Sequence, residues 1–239
     1  MTLPNTPDPD KSLRRMKRAL LIATILLLPT AEAGAVEPAA GTDRRLFIGP
    51  SVSTLGLGGE VGYRFNDYLT LRGGGNAFEY GYDDEIDGVD YDIDLGLASA
   101  GLVVDVHPFR GGFHLSAGAR WNGNGADLDG RPAGPLTIGG TTYAPDEIGR
   151  LTGEAEFDSF APYLGIGYTF VLLDGRFSLA LDAGALYQGD PDVDLEATGP
   201  IASDPAFQAD LEEQREEVED ALEFLRFYPV AALALRYHF

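Results

Sequence analysis

The sequence predicts an all-β fold, an eight-stranded antiparallel up-and-down barrel that crosses a membrane with its strands. Three observations support this fold class. Apolar and polar residues alternate in eight segments, the connections between segments alternate between short and long, and the chain ends in mid-strand on Phe239. Alternation with period two places one set of side chains on each face of a strand. A strand between lipid and a polar lumen requires this pattern.

The last segment carries the clearest alternation, with apolar residues at every second position from Leu225 to Phe239. It resembles the closing strand of small Gram-negative outer-membrane β-barrels of the OmpA-transmembrane or OmpW type, whose aromatic-x-aromatic terminus is read by the barrel-assembly machinery. The resemblance covers about residues 44–239. It implies that Tyr237 and Phe239 form the assembly signal, and that the protein lies in the outer membrane among lipid and lipopolysaccharide.

Residues 1–35 have the layout of a cleavable export signal. The basic residues Lys17-Arg18 precede an apolar run, and small-residue sites place cleavage after Ala33 or Ala35. The apolar run is shorter than the roughly 20 residues that a spanning helix needs. Because such signals usually begin just before the basic residues, residues 1–15 are consistent with a start site placed too early. Residues 36–43 are then a linker, and residues 44–239 form the barrel.

The composition excludes several classes of function. The chain has a net charge of -21 and no cysteine, and its first 35 residues are net basic, so the mature part is more acidic still. Binding to nucleic acid requires the opposite sign of charge, so nucleic acid is excluded as a partner. The lack of cysteine excludes disulfides and thiolate metal sites.

Strong turn signals separate the eight predicted strands, which are residues 45–53, 57–65, 68–82, 89–106, 113–122, 154–172, 176–187 and 224–239. Short periplasmic turns and longer outer loops are typical of transmembrane barrels, and an even number of strands puts both termini in the periplasm. The predicted short turns are 66–67, 107–112 and 174–175, and the longer connections are 83–88, 123–152 and 188–223.

Two segments depart from this regular pattern. The connection 54–56 is short although it falls on the side of the long loops. In the segment 89–106 the apolar phase shifts between Leu97 and Leu102, which predicts a β-bulge or a misplaced boundary. A soluble eight-stranded barrel such as a lipocalin also alternates, with its apolar face inward. The export signal, the terminal Phe239 and the aromatic residues at strand ends favour the membrane barrel.

With the polar faces inward, seven charged side chains line the predicted lumen: Glu60, Arg64, Arg72, Arg120, Asp182, Arg226 and Arg236. Eight strands leave an interior just wide enough for side chains to fill. Because unpaired buried charge is costly, these groups are expected to pair with one another. The sequence therefore predicts a packed polar core, with at most a small, anion-preferring conductance.

An acidic segment between the third and fourth strands resembles a calcium loop in its spacing. Aligned on the twelve-residue loop, it places oxygen ligands at Asp83, Glu85, Asp87 and Asp94, with Gly88 at the turn position. It departs from the calcium-loop pattern because Asp94 replaces the bidentate Glu and no helices flank it. The alternative is a solvated acidic loop. No cofactor is expected beyond weakly bound calcium or magnesium.

Asp204 and Pro205 predict the start of a helix in the last outer loop. Phe207, Leu211 and Val218 follow helical spacing among many acidic residues, so the helix is amphipathic. It is expected either to act as a lid or partner-binding element or to pack on the barrel rim.

His114 and Ser116 form a pair on one strand face, and this pair resembles the His-x-Ser of outer-membrane lipid A deacylases. In that family the catalytic groups lie at the outer-leaflet end, whereas His114 follows a periplasmic turn and no matching Glu is found. A lumen histidine is the favoured interpretation.

The function expected first is that of a non-enzymatic outer-membrane barrel with an acidic extracellular surface. Its role would be structural or one of surface interaction with an unknown extracellular partner. The alternatives are a narrow small-solute porin and, third, a lipid A-modifying enzyme. Fold alone does not choose among them.

Overall fold

A computed structural model describes residues 44–86 and 89–239, including every side chain there except those of residues 83–86 and 89–91. The predicted export signal and linker lie outside these residues. Within the described part the chain forms thirteen strands: β1 (Leu46–Ser53), β2 (Gly56–Arg64), β3 (Leu69–Ile86), β4 (Val89–Val106), β5 (Phe113–Asn122), β6 (Gly125–Pro132), β7 (Leu136–Ile138), β8 (Thr141–Tyr143), β9 (Leu151–Glu156), β10 (Phe160–Leu172), β11 (Phe177–Tyr187), β12 (Asp192–Ala197) and β13 (Phe227–His238).

Eight of these strands close into an antiparallel barrel in the order β1–β2–β3–β4–β5–β10–β11–β13. The ring closes where β13 pairs with β1, with Phe47 opposite His238, and the Phe239 amide donates to the Leu46 carbonyl at 2.9 Å. The closed ring leaves no barrel edge unpaired. The predicted eight-stranded barrel is confirmed.

The outward face of the barrel is apolar and the inward face is polar. Leu57, Leu102 and Leu164 on the outer wall are each more than 60 % exposed, whereas Ser116 and Asp182 inside are buried. Aromatic side chains are exposed towards both rims, among them Tyr63, Phe65, Tyr68, Trp121, Phe160, Phe227, Tyr237 and Phe239. A soluble barrel would have its apolar face inside, so this polarity answers the question that alternation alone left open.

Above the barrel the structure corrects the predicted loops. The segment expected as one strand, 154–172, is two strands, β9 and β10, because residues 157–159 leave the sheet. The upper half of β4 pairs with β6, β6 pairs with β9, and β9 pairs with β12. We call the sheet formed by residues 78–86, residues 89–96, β6, β9 and β12 the outer sheet.

The strand β4 contains no bulge, contrary to the prediction. Its register with β3 is continuous from Leu69 opposite Val106 to Ile86 opposite Val89. Leu102 points outward from the barrel, whereas Leu97 lies opposite Phe78 on the other face. One face of β4 lies against lipid in the barrel and against water in the outer sheet. The apolar residues therefore change from one face to the other along the strand.

The predicted helix is confirmed at Pro205–Leu222, and Asp204 caps it by accepting from the amides of Ala206 at 2.8 Å and Phe207 at 3.4 Å. It packs against β12 and β7. Two shorter helical turns are Leu173–Gly175 and Glu223–Arg226, and a one-turn helix is Pro145–Ile148. In the described residues no helix combines the length and apolar character needed to cross a membrane.

The helix and the outer sheet share a small hydrophobic core of their own. Phe207 and Leu211 are buried with Ile138 and Ile148, and the Phe207 ring meets the Tyr143 ring edge-on at 5.0 Å. The helix thus packs on the outer sheet and not on the barrel rim, and a role as a lid or partner-binding element stays a prediction.

Candidate functional site: the lumen and the outer sheet

Arg72, on β3, is the centre of an ion-pair network in the barrel lumen. Its guanidinium contacts both carboxylate oxygens of Asp182, at 2.7 and 3.2 Å, and Oδ2 of Asp105 at 2.8 Å. It also donates to Glu60 at 3.3 Å and to Ser116 at 3.3 Å. Bidentate pairing of this kind fixes the positions of both partners.

Arg236 and His114 complete this network. Arg236 donates to Glu60, and its guanidinium lies 4.7 Å from the centre of the Phe47 ring. His114 contacts Asp182 Oδ1 through Nε2 at 2.9 Å and the Gly112 carbonyl through Nδ1 at 3.1 Å. Both ring nitrogens of His114 thus lie within hydrogen-bond distance of an oxygen atom.

Arg120 lies higher in the lumen and has neutral partners. It donates to Asn76 at 2.9 Å and to Ser99 at 3.0 Å. A cavity of about 50 Å³ between Arg120 and the ion-pair network is also lined by Tyr163. This space is the size of one or two water molecules.

An apolar layer also fills the lumen, formed by Leu55, Val103, Tyr163, Leu186 and Val230. The Tyr163 ring lies so close to the backbones of Gly165 and Gly184 that a side chain at either position would collide with it. These glycines therefore let a large ring lie flat inside a narrow barrel.

One predicted lumen charge, Arg226, lies elsewhere. Arg226 pairs with Asp190 and Glu223 at the outer rim, because it belongs to the helical turn before β13 and does not share the phase of that strand. Arg64 lies on the lumen face at the end of β2, opposite the buried Thr70, and donates to the Asn66 carbonyl. Asp105 was missed, since it lies in the segment whose phase was ambiguous.

Acidic side chains cover one face of the outer sheet. Asp94, Asp127, Glu154 and Asp194 lie directly opposite one another across four strands. Directly opposed residues share a face, as do residues two apart on a strand. The same face also carries Asp92, Asp129, Glu156, Asp192 and Glu196. We call these nine carboxylates the acidic face.

Among the described residues, the ion pairs made by the acidic face all involve Asp129. Arg150 contacts Asp129 at 3.0 Å, and Arg131 lies 4.0 Å from the same carboxylate. Within the row, Glu156 and then Asp127 raise the pKa of the Glu154 carboxyl. The sheet tolerates the repulsion among these carboxylates because its opposite face packs against the helix.

The pKa of Glu154 predicts a dependence on pH. The raised pKa means that the folded sheet binds the proton more tightly than the unfolded chain, so this contribution to stability falls as pH rises. We expect the protection factors of the amides in β6 and β9, corrected for intrinsic exchange, to rise when the pH is lowered from neutral to about 5. They should also rise when salt is added at neutral pH.

The matched variants for this prediction are Glu154→Gln, which should remove much of the pH response, and Glu213→Gln on the helix, which should retain it. Opening rates in β6 and β9 that are equal at both pH values, after correction for intrinsic exchange, would contradict the assignment.

The calcium-loop hypothesis stays a prediction. Asp83, Glu85 and Asp87 lie outside the residues whose side chains are described, and Asp94 belongs to the acidic face. In the described part of the chain, no three His, Asp or Glu side chains form a group that could hold a metal ion.

No protein-family model and no curated protein matches the chain. Solved structures do match it. The crystal structure of CarO2 from Acinetobacter baumannii is 21% identical, with a TM-score of 0.57, over 82% of this chain and 98% of that chain. CarO from the same organism is 21% identical, with a TM-score of 0.55, over the same shares of the two chains.

The attachment invasion locus protein Ail of Yersinia pestis is 13% identical over 82% of this chain and 97% of that chain. Its TM-score is 0.36. The likeness to the two Acinetobacter structures concerns the fold. The chain has the fold of a small outer-membrane β-barrel.

Proposed function

We propose that the protein is a non-enzymatic outer-membrane barrel whose filled lumen anchors the outer sheet, and that this sheet makes contacts at the cell surface. Export by a cleaved signal, assembly through Tyr237 and Phe239, and periplasmic termini belong to the same proposal. The lipid partners are outer-membrane lipid and lipopolysaccharide.

The filled lumen is the observation that carries this proposal. Salt-bridged side chains occupy one level, and the apolar layer around Leu55 and Leu186 occupies another. Opening a path for solutes would require breaking buried ion pairs, which costs several kcal/mol when one partner loses the other. Beyond the barrel, the described residues form the outer sheet, its helix and the hairpin of β7 and β8.

Conductance in planar bilayers tests the filled lumen. We expect the purified, refolded protein to give no stable open-channel steps under conditions where a general-diffusion porin does. Any residual current should be small and should prefer anions, because Arg120 faces the cavity without a carboxylate partner among the described residues.

Truncating side chains in the lumen provides the matched comparison. Tyr163→Ala combined with Arg72→Ala should raise the current, because it truncates one side chain in each filled level of the lumen, whereas Leu164→Ala on the outer wall should not. A large cation-selective current through the wild-type protein would instead favour the narrow-porin alternative.

A further inference from the structure

The strand β3 extends beyond its neighbour β2. The β2–β3 ladder ends where Leu57 lies opposite Ala77, whereas β3 continues to Ile86 paired with β4. Among the described residues, no strand pairs with the other side of residues 78–81. We call these four residues the open edge.

The backbone geometry determines which groups the open edge presents. In an antiparallel ladder, successive residues direct their N–H and C=O groups to opposite neighbours. The Gly75 carbonyl points towards β2, against Gly58, so Ala77, Glu79 and Gly81 share its direction. Glu79 and Gly81 therefore turn two N–H and two C=O groups away from β4, into the space beside the sheet.

The two faces of the open edge differ in chemistry. On one face, the rings of Phe78 and Tyr80 lie 6.4 Å apart and 7° from parallel, and they are 44% and 54% exposed. On the other face, Glu79 is exposed and the Asp94 carboxylate lies over Gly81. An added strand would therefore place every second side chain against aromatic rings and the others against carboxylates.

The opposite edge of the outer sheet is closed. The helix Pro205–Leu222 packs along β12, and the Glu219 carboxylate accepts from the Val193 amide at 3.4 Å. Exposed sheet edges are usually covered or blunted, because they pair with other chains. The contrast between the two edges singles out β3 as the place where a strand can be added.

We infer that the open edge binds an extended peptide segment in which apolar and basic residues alternate, adding it as a further strand. Main-chain hydrogen bonds to Glu79 and Gly81 would supply affinity, and the two faces would supply selectivity. This inference rests on the proposed surface function, and it specifies the chemical character of the surface partner.

A second copy of this chain fits the open edge poorly. Pairing two open edges would bring Glu79 of one copy near Glu79 of the other, next to two acidic faces, and like charges opposed across strands are destabilising. A basic segment has the complementary charge and gains from the same carboxylates.

The test uses the full barrel in lipid nanodiscs and a short synthetic peptide in which lysine and valine alternate. We expect the peptide to slow amide exchange at Glu79 and Gly81, with little change in β12. The same peptide methylated on alternate backbone nitrogens should bind about tenfold or more weakly, since it cannot complete the ladder. A glutamate–valine peptide should not protect these amides.

The matched variants are Gly81→Pro and Gly81→Ala. Proline removes the N–H that faces the open edge and is tolerated on an edge strand, so it should weaken peptide binding about tenfold. Alanine keeps the N–H and should change binding by less than about twofold. Glu79→Lys should reverse the preference between the lysine–valine and glutamate–valine peptides.

Three results would overturn the inference: no protection of Glu79 and Gly81, equal binding of the methylated peptide, or self-association of the barrel through β3 in sedimentation experiments. None of these changes the conductance of the barrel. A failure of the open edge is thus distinct from a failure of the filled lumen.

Discussion

Arg72→Ala is expected to destabilise the barrel by about 3–5 kcal/mol, because it removes the central cation of a buried ion-pair network and leaves its carboxylates buried. Asp182 and Asp105 would each lose their shortest contact to a cation. Arg236 would still hold Glu60, and His114 would still contact Asp182 at 2.9 Å, whereas Arg236 approaches Asp182 only to 4.0 Å. The loss should appear as a lower urea midpoint for unfolding from lipid vesicles.

Arg120→Ala is the matched control, since Arg120 lies in the same lumen but donates to the neutral side chains of Asn76 and Ser99. We expect it to cost about 1.5–3 kcal/mol, the usual range for hydrogen bonds made by a charged group. The fluorescence of the single tryptophan, Trp121, reports unfolding in both variants. Equal losses in the two would show that the network does not dominate lumen stability.

Phe207→Ala is expected to cost about 3–5 kcal/mol locally, the usual penalty for truncating a buried phenylalanine. Phe207 is 1% exposed and holds the helix to the hairpin of β7 and β8 through Tyr143. Its cluster is separate from the apolar layer in the lumen. The helix and β12 should therefore exchange their amides faster while the barrel strands keep their protection.

Phe224→Ala is the control for this second change, because Phe224 is 54% exposed. It should alter stability by no more than about 0.5 kcal/mol. Limited proteolysis offers an independent readout, since the Phe207 variant should be cut between residues 198 and 226 well before the barrel is lost. Loss of the barrel and the outer sheet together would contradict the separation of the two cores.

The barrel was predictable because lipid imposes a strict rule on every spanning strand. Each strand must hide its polar backbone in a ladder and alternate its side chains, so the alternation from Leu225 to Phe239 and in β5 is visible in the sequence. The same phase put Glu60, Arg72, Asp182 and Arg236 on one face, and the structure places them together in the lumen.

The outer sheet was not predictable by the same route. Its strands β6 and β12 are short and carry aspartates on the water-facing side, so their composition resembles that of loops. Their alternation, with Leu128 and Val193 among the aspartates, was the available signal. This alternation indicates strands only when β6 is known to pair with the upper half of β4, and that pairing depends on tertiary contacts. Arg226 was wrongly predicted in the lumen because the alternation of β13 was extended across the helical turn Glu223–Arg226.

The continuity of β3 and β4 has a mechanical consequence. Each strand has 18 residues and passes from the barrel wall into the outer sheet without an intervening loop. A pull on the outer sheet along these strands would load their hydrogen bonds in shear, since the bonds run perpendicular to the strand axis. Many hydrogen bonds would then share the force. A pulling force on a bound partner would therefore be transmitted along β3 and β4 into the wall of the barrel.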